Sequence, residues 1–194
     1  MRGGCVMSRL PSLVSVVGLL ACLNMPAHAA SGGFALSSSE IKPGQTLVAD
    51  HVFNGFGCEG GNQSPALSWT PGPEGTRSYA VTMYDPDAPT GSGWWHWVVY
   101  NIPASVTHLA AGAGDASGAK LPVGAMHGRT DFGAQGFGGA CPPVGDKPHR
   151  YIFTVYALKS DRLEVPADAS AALIGYMIHA NQLAKATLKA KYAR

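Results

Sequence analysis

Hydrophobic residues fall mostly in short runs, not in long helical repeats. Leu47 to Phe53, Arg77 to Tyr84, Trp95 to Ile102 and Tyr151 to Leu158 are rich in β-branched and aromatic residues and bounded by Gly, Pro, Asn or Asp. Each predicts a strand. The run from Tyr151 to Leu158 is apolar at both odd and even positions, the pattern of a central strand covered on both faces. One segment has helical spacing: Pro166 and Asp168 supply a start signal, and Leu173, Ile174, Met177 and Ile178 predict a helix continuing to about Lys191. The pattern predicts a mainly β domain with a C-terminal helix. The glycine-rich stretch from Ala111 to Pro148 predicts long irregular loops, where function tends to sit.

Composition alters this picture at the N-terminus. The chain has 194 residues, of which 46% are hydrophobic and only 13% charged, about half the usual charged share. Part of the apolar excess lies in residues 1–29, where Arg2 and Arg9 precede an uncharged stretch from Leu10 to Met25 and then Ala27-His28-Ala29. This order is that of a cleaved signal peptide, and its apolar centre is too short to span a bilayer as a helix. Leu19-Leu20-Ala21-Cys22 also resembles a lipobox, so the alternative to a periplasmic or secreted protein is a lipoprotein anchored through Cys22. Removing the leader leaves one domain over residues 30–194 with 12 basic and 12 acidic side chains. No clustered basic surface of the kind that tracks a nucleic acid remains. Lys185, Lys189, Lys191 and Arg194 sit where the predicted helix ends and suit its dipole. The two remaining cysteines, Cys58 and Cys141, read as one disulfide in an oxidising compartment, with two free thiols as the alternative. Neither has zinc-ligand spacing.

Three segments carry candidate chemistry. Asp85-Pro86-Asp87-Ala88-Pro89 follows a predicted strand, and in extended backbone Asp85 and Asp87 would face the same way, converging two carboxylates; the alternative is a turn in which each Asp caps backbone amides. The turn Thr90-Gly91-Ser92-Gly93 then leads into Trp94-Trp95-His96-Trp97, which returns His96 toward the acids beside large apolar walls. The third runs from Gly138-Gly139-Ala140-Cys141-Pro142-Pro143 to His149-Arg150-Tyr151. His149 and Tyr151 share a strand face, and the glycines let backbone amides approach a ligand closely.

Together with Asn62-Gln63-Ser64-Pro65-Ala66-Leu67-Ser68-Trp69 upstream, these segments resemble the phosphatidylethanolamine-binding protein family, also called Raf kinase inhibitor-like, in its prokaryotic branch. The resemblance runs from about Phe34 to Tyr192 with the motifs in the family's order. It implies a large central β-sheet packed on a smaller one, and a small pocket for phosphate or a phospholipid headgroup. Carried over by motif, Asp85, Asp87, Pro89, Trp94, His96, His149 and Tyr151 are implied to bind ligand, with the backbone around Gly139 to Cys141 closing the site.

The expected function is therefore ligand binding by an exported protein with no cofactor, and a second expectation is an effect on an unidentified protein partner. His96 and His149 are expected to donate hydrogen bonds to an anionic oxygen, Tyr151 to add a hydroxyl, and the aspartates to orient the imidazoles. The alternative is a metal- or acid/base-dependent enzyme built on Asp85, Asp87, His96 and His149. No Gly-x-Ser-x-Gly elbow is present for a covalent hydrolytic route.

Overall fold

The structure is a computed structural model that describes Met1, Gly3 and residues 33–194. The leader over residues 1–29 and its Cys22 lie outside the described residues, Met1 and Gly3 excepted. The principal sheet has five antiparallel strands in the spatial order β10-β9-β5-β6-β8: β5 is Ser78–Asp85, β6 Trp94–Pro103, β8 Met126–His127, β9 His149–Leu158 and β10 Gln182–Tyr192. A three-stranded sheet is formed by β1 (Leu36–Ser37), β4 (Leu67–Trp69) and β7 (His108–Leu109), and a short hairpin by β2 (Asn54–Gly55) and β3 (Cys58–Glu59). One α-helix, α1, spans Ala171–Asn181.

Side-chain alternation divides the principal sheet between two cores. Tyr79, Val81 and Met83 of β5, with Trp97, Tyr151, Phe153 and Val155, pack toward Leu67, Trp69 and Leu109 of the small sheet. Ala80, Val98, Tyr156 and Leu158 pack on the other face against Ala171, Ile174 and Ile178 of α1. This two-sided coverage explains why β5 and β9 are apolar at both parities. The fold is mainly β, a large sheet packed on a smaller one with a helix on its other face.

Two predicted elements end differently. The segment from Leu47 to Phe53 does not form a strand. Ala49–His51 is a 3-10 turn in which His51 N and Val52 N donate to Val48 O and Ala49 O, and only isolated bridges form at Thr46 and Val52. The predicted helix stops at Asn181. Its start is capped by Ser170, whose side chain accepts from Leu173 N at 3.2 Å, and not by Asp168. From Ala184 to Lys191 burial alternates strictly, Ala186, Leu188 and Ala190 inward and Lys185, Thr187, Lys189 and Lys191 outward. That period of two overrides the helix propensity of Ala, Leu and Lys. The lysines therefore line the solvent face of a strand and do not complement a helix dipole, while Arg194 donates to Pro142 O, Gly57 O and Phe56 O.

Candidate functional site

Three antiparallel strands bring the candidate residues to one end of the principal sheet. Asp85 closes β5 opposite Trp94 of β6, and Tyr84 pairs with Ile152 of β9, which places His149 and Tyr151 beside them. A bulge aims the second histidine. Tyr84 pairs with Trp95 while its neighbour Met83 pairs with Trp97, so His96 is an extra residue in the ladder. Trp95 consequently packs toward α1, whereas Trp97 enters the opposite core. Bulges of this kind re-aim side chains at strand ends.

The resulting cavity has a volume of about 170 Å³. Asp85, Thr90, Trp94, His96, His149 and Tyr151 supply its polar groups, and Phe56, Ala88, Pro89, Phe132, Cys141, Pro142 and Pro143 complete the lining. Phe132 stands at the centre of its aromatic wall, edge-on to His96 at 5.3 Å and to Trp94 at 5.4 Å between ring centroids. Its ring covers Gly138 so closely that a Cβ there would lie 2.2 Å from it. Any side chain at Gly138 would displace the wall.

The two imidazoles meet opposite surroundings. His96 is buried, and its Nδ1 donates to Gly138 O at 2.8 Å and Gly139 O at 3.1 Å. Carbonyls only accept, so the proton sits on Nδ1. Burial lowers the His96 pKa to about 4, outweighing the carbonyls and the carboxylates of Asp85 and Asp131, which favour protonation. His96 is thus neutral at pH 7 and leaves Nε2 as an acceptor. His149 instead places Nδ1 2.7 Å from Asp85 Oδ2 and Nε2 3.3 Å from Asp146 Oδ2. Burial opposes its charge, but the two carboxylates outweigh burial and raise its pKa above the usual imidazole value. Tyr151 is fully buried and its O–H finds no acceptor, while burial followed by the charge of Asp85 raises the phenol's pKa against the opposing backbone bond from Cys141. Trp94 Nε1 is likewise buried without a partner.

The two aspartates do not converge. Asp85 Oδ1 accepts from Asp87 N at 2.8 Å, which turns the chain. Asp87 then faces the outer side of β9, where Arg150 N, Nε and Nη2 donate to it at 2.8, 2.8 and 2.6 Å. Those bonds to Arg150 lower the Asp87 carboxyl to a pKa of about 2. Asp87 does not line the cavity, and the four-residue metal set of the enzyme alternative is not assembled. Among the described residues no three His, Cys, Asp or Glu side chains cluster to hold a metal. Gly139 also stands behind the wall. Its N donates to Asn62 Oδ1 at 2.8 Å, its O receives His96, and a Cβ would lie 2.5 Å from the backbone of Val52 and Phe53.

Cys58 and Cys141 form a disulfide. It joins one cavity wall to the β2–β3 hairpin, whose turn residue Phe56 forms another. Residue types alone did not mark Phe56, Phe132 or Asp146 as site residues. The spacing of Asp146 three positions before His149 carried the only sequence signal for that pair, and Phe56 depends on a turn conformation with φ of 51°.

The chain is similar to known proteins over most of its length. The family model described as phosphatidylethanolamine-binding protein matches residues 37–193. YbcL of Escherichia coli is 58% identical over 180 residues, covering 93% of this chain and 96% of its own. YbhB of the same organism is 49% identical over 158 residues, covering 81% and 99%. The crystal structure of YbcL, described as a new member of the mammalian PEBP family, matches with a TM-score of 0.82 at 60% identity over 83% of this chain and 98% of that one. The homologue CT736 of Chlamydia trachomatis matches with a TM-score of 0.69 at 28% identity, over 84% and 98%.

Proposed function

Because the chain belongs to the phosphatidylethanolamine-binding protein family, we propose that it is an exported binding protein whose cavity takes a phosphate-bearing small molecule or headgroup. The carrying observation is the set of unfulfilled polar groups around one cavity. Tyr151 O–H and Trp94 Nε1–H are buried donors at this cavity without acceptors, and a ligand oxygen would complete them. His149 lies between Asp85 and Asp146, which favour its protonated form and so favour positive charge beside these donors. The role expected for His96 changes: it presents a lone pair to the ligand and not a donor. The aromatic wall of Trp94, Phe132 and Phe56 suits an alkyl or ammonium extension of the ligand.

Export is supported by the charge and hydropathy pattern of residues 1–29 and by the disulfide. Among the described residues no helix is long and apolar enough to cross a membrane. Amino-terminal sequencing of the processed protein tests export. A mature N-terminus after Ala29 supports release, and a lipid-modified Cys22 makes the protein a lipoprotein.

Calorimetric titration with inorganic phosphate and phosphoethanolamine tests the pocket. Binding that is lost or weakened at least tenfold in Tyr151→Phe and His149→Ala supports the assignment. Unchanged affinity in both variants contradicts it.

A further inference from the structure

We infer that the cavity selects an oxyacid that brings its own proton, a phosphate monoester or inorganic phosphate as the monoprotonated anion, over a fully deprotonated dianion or a phosphodiester that carries no amine. This deepens the pocket reading above and rests on it.

The inference follows from counting donors and acceptors. The bonds of His96 Nδ1 to Gly138 O and Gly139 O require a hydrogen on Nδ1, and no described residue donates to Nε2. The neutral ring therefore meets the ligand with a lone pair. On the opposite side, Trp94 Nε1–H and Tyr151 O–H require acceptors. A matching ligand presents one hydroxyl and at least one anionic oxygen on the same centre. A P–OH group donates to His96 Nε2 while a neighbouring P–O⁻ accepts from Tyr151 or Trp94. A dianion offers acceptors alone and sets lone pair against lone pair at His96. A phosphodiester without an amine has the same defect.

The neighbours of His96 do not remove this requirement. From β5, Asp85 is engaged by His149 Nδ1 and Asp87 N. From the loop before Phe132, Asp131 accepts from Trp95 N at 2.7 Å. From β9, Tyr151 packs edge-on to His96 at 5.2 Å between ring centroids with its O–H lacking an acceptor, and His149 is committed to Asp85 and Asp146. Cys141 is held in the disulfide. Burial holds His96 neutral to about pH 4, so the proton must come from the ligand at neutral pH. The two carboxylates against one imidazolium add a further penalty on a second ligand charge.

Calorimetry on the purified protein with inorganic phosphate, methyl phosphate, sulfate and dimethyl phosphate, between about pH 5.5 and 8.5, tests this. Sulfate stays a dianion throughout and reports only the protein's own titrations, including that of His149. The methyl phosphate-to-sulfate affinity ratio isolates the ligand proton. It should be at least tenfold at the acid end and fall about tenfold per pH unit above the second ionisation of the ligand, whose pKa is about 6 for a monoester. Dimethyl phosphate should bind at least tenfold more weakly than methyl phosphate at the acid end. In His96→Gln, whose amide can donate or accept, the ratio should shrink to within about threefold with phosphate binding retained. Equal binding of sulfate or dimethyl phosphate, or a ratio independent of pH in the unaltered protein, overturns the proton requirement and leaves the pocket reading intact. Failure of all four probes to bind overturns both.

Discussion

The two polar walls of the cavity are built from the same residue type and behave oppositely. On the β6 wall His96 is backed by main-chain carbonyls, which define its tautomer but supply too little charge to offset burial. On the β9 wall His149 is backed by Asp85 and Asp146, which raise its pKa and favour the charged form. The difference teaches that the backing group and not the histidine sets the role. A carbonyl makes the imidazole a directional acceptor, and a carboxylate pair makes it a cation. Environments that push two like groups apart are the means by which one site holds both a donor and an acceptor.

The largest expected effect comes from cutting the link behind both walls. Cys58→Ser with Cys141→Ser releases a cross-link between residues 83 apart, and chain-entropy reasoning puts the loss at about 4.5 kcal/mol. Urea denaturation should show this loss and weaker ligand binding, because Cys141 and Phe56 both line the cavity. Next is Asp85→Asn, which leaves a buried imidazole without its closest carboxylate. A stability loss of about 3 kcal/mol is expected from chemical denaturation, and the pKa of His149 should fall, removing the contrast between the walls.

The pH dependence of stability sharpens the same contrast. His149 has a folded pKa above its unfolded value, so its contribution is present below pH 6.5 and lost as pH rises through the raised value. His96 has a depressed folded pKa, so its neutral form stabilises above pH 6.5 and the benefit is lost as pH falls toward about 4. Thermal melts across pH should show His149→Gln flattening the alkaline flank and His96→Gln the acid flank. The smallest effect is expected outside the cavity. Arg150→Ala breaks an ion pair whose two side chains are 53% and 29% exposed, and solvent screening limits the loss to about 1 kcal/mol or less. Ligand affinity should be unchanged by calorimetry, since Asp87 and Arg150 lie on the outer side of β9.

Much of this was legible in the amino-acid order. The strands β5, β6 and β9 announce themselves through β-branched and aromatic runs, and motif resemblance identified the family and assembled most of the cavity. The errors have local physical causes. Asp87 was assigned to the cavity on extended-backbone geometry, but the carboxylate of Asp85 captures the Asp87 amide and turns the chain within two residues. The last strand was hidden because Ala, Leu and Lys favour helix, and only the alternation of Ala186, Leu188 and Ala190 with lysines and Thr187 revealed β10. Phe56 and Phe132 come from loops whose packing depends on contacts distant in sequence. The state of His96 was legible least, because it depends on carbonyls more than forty residues away.

The central claim, that one wall presents a neutral acceptor and the other a charged imidazole, is tested most directly by a nitrogen-15 NMR titration of histidine-labelled protein. The account predicts His96 as the Nδ1–H tautomer at neutral pH, with a midpoint near 4, and His149 doubly protonated at pH 6.5 with its midpoint on the alkaline side. An Nε2–H tautomer for His96, or two histidines titrating together near pH 6.5, would contradict it.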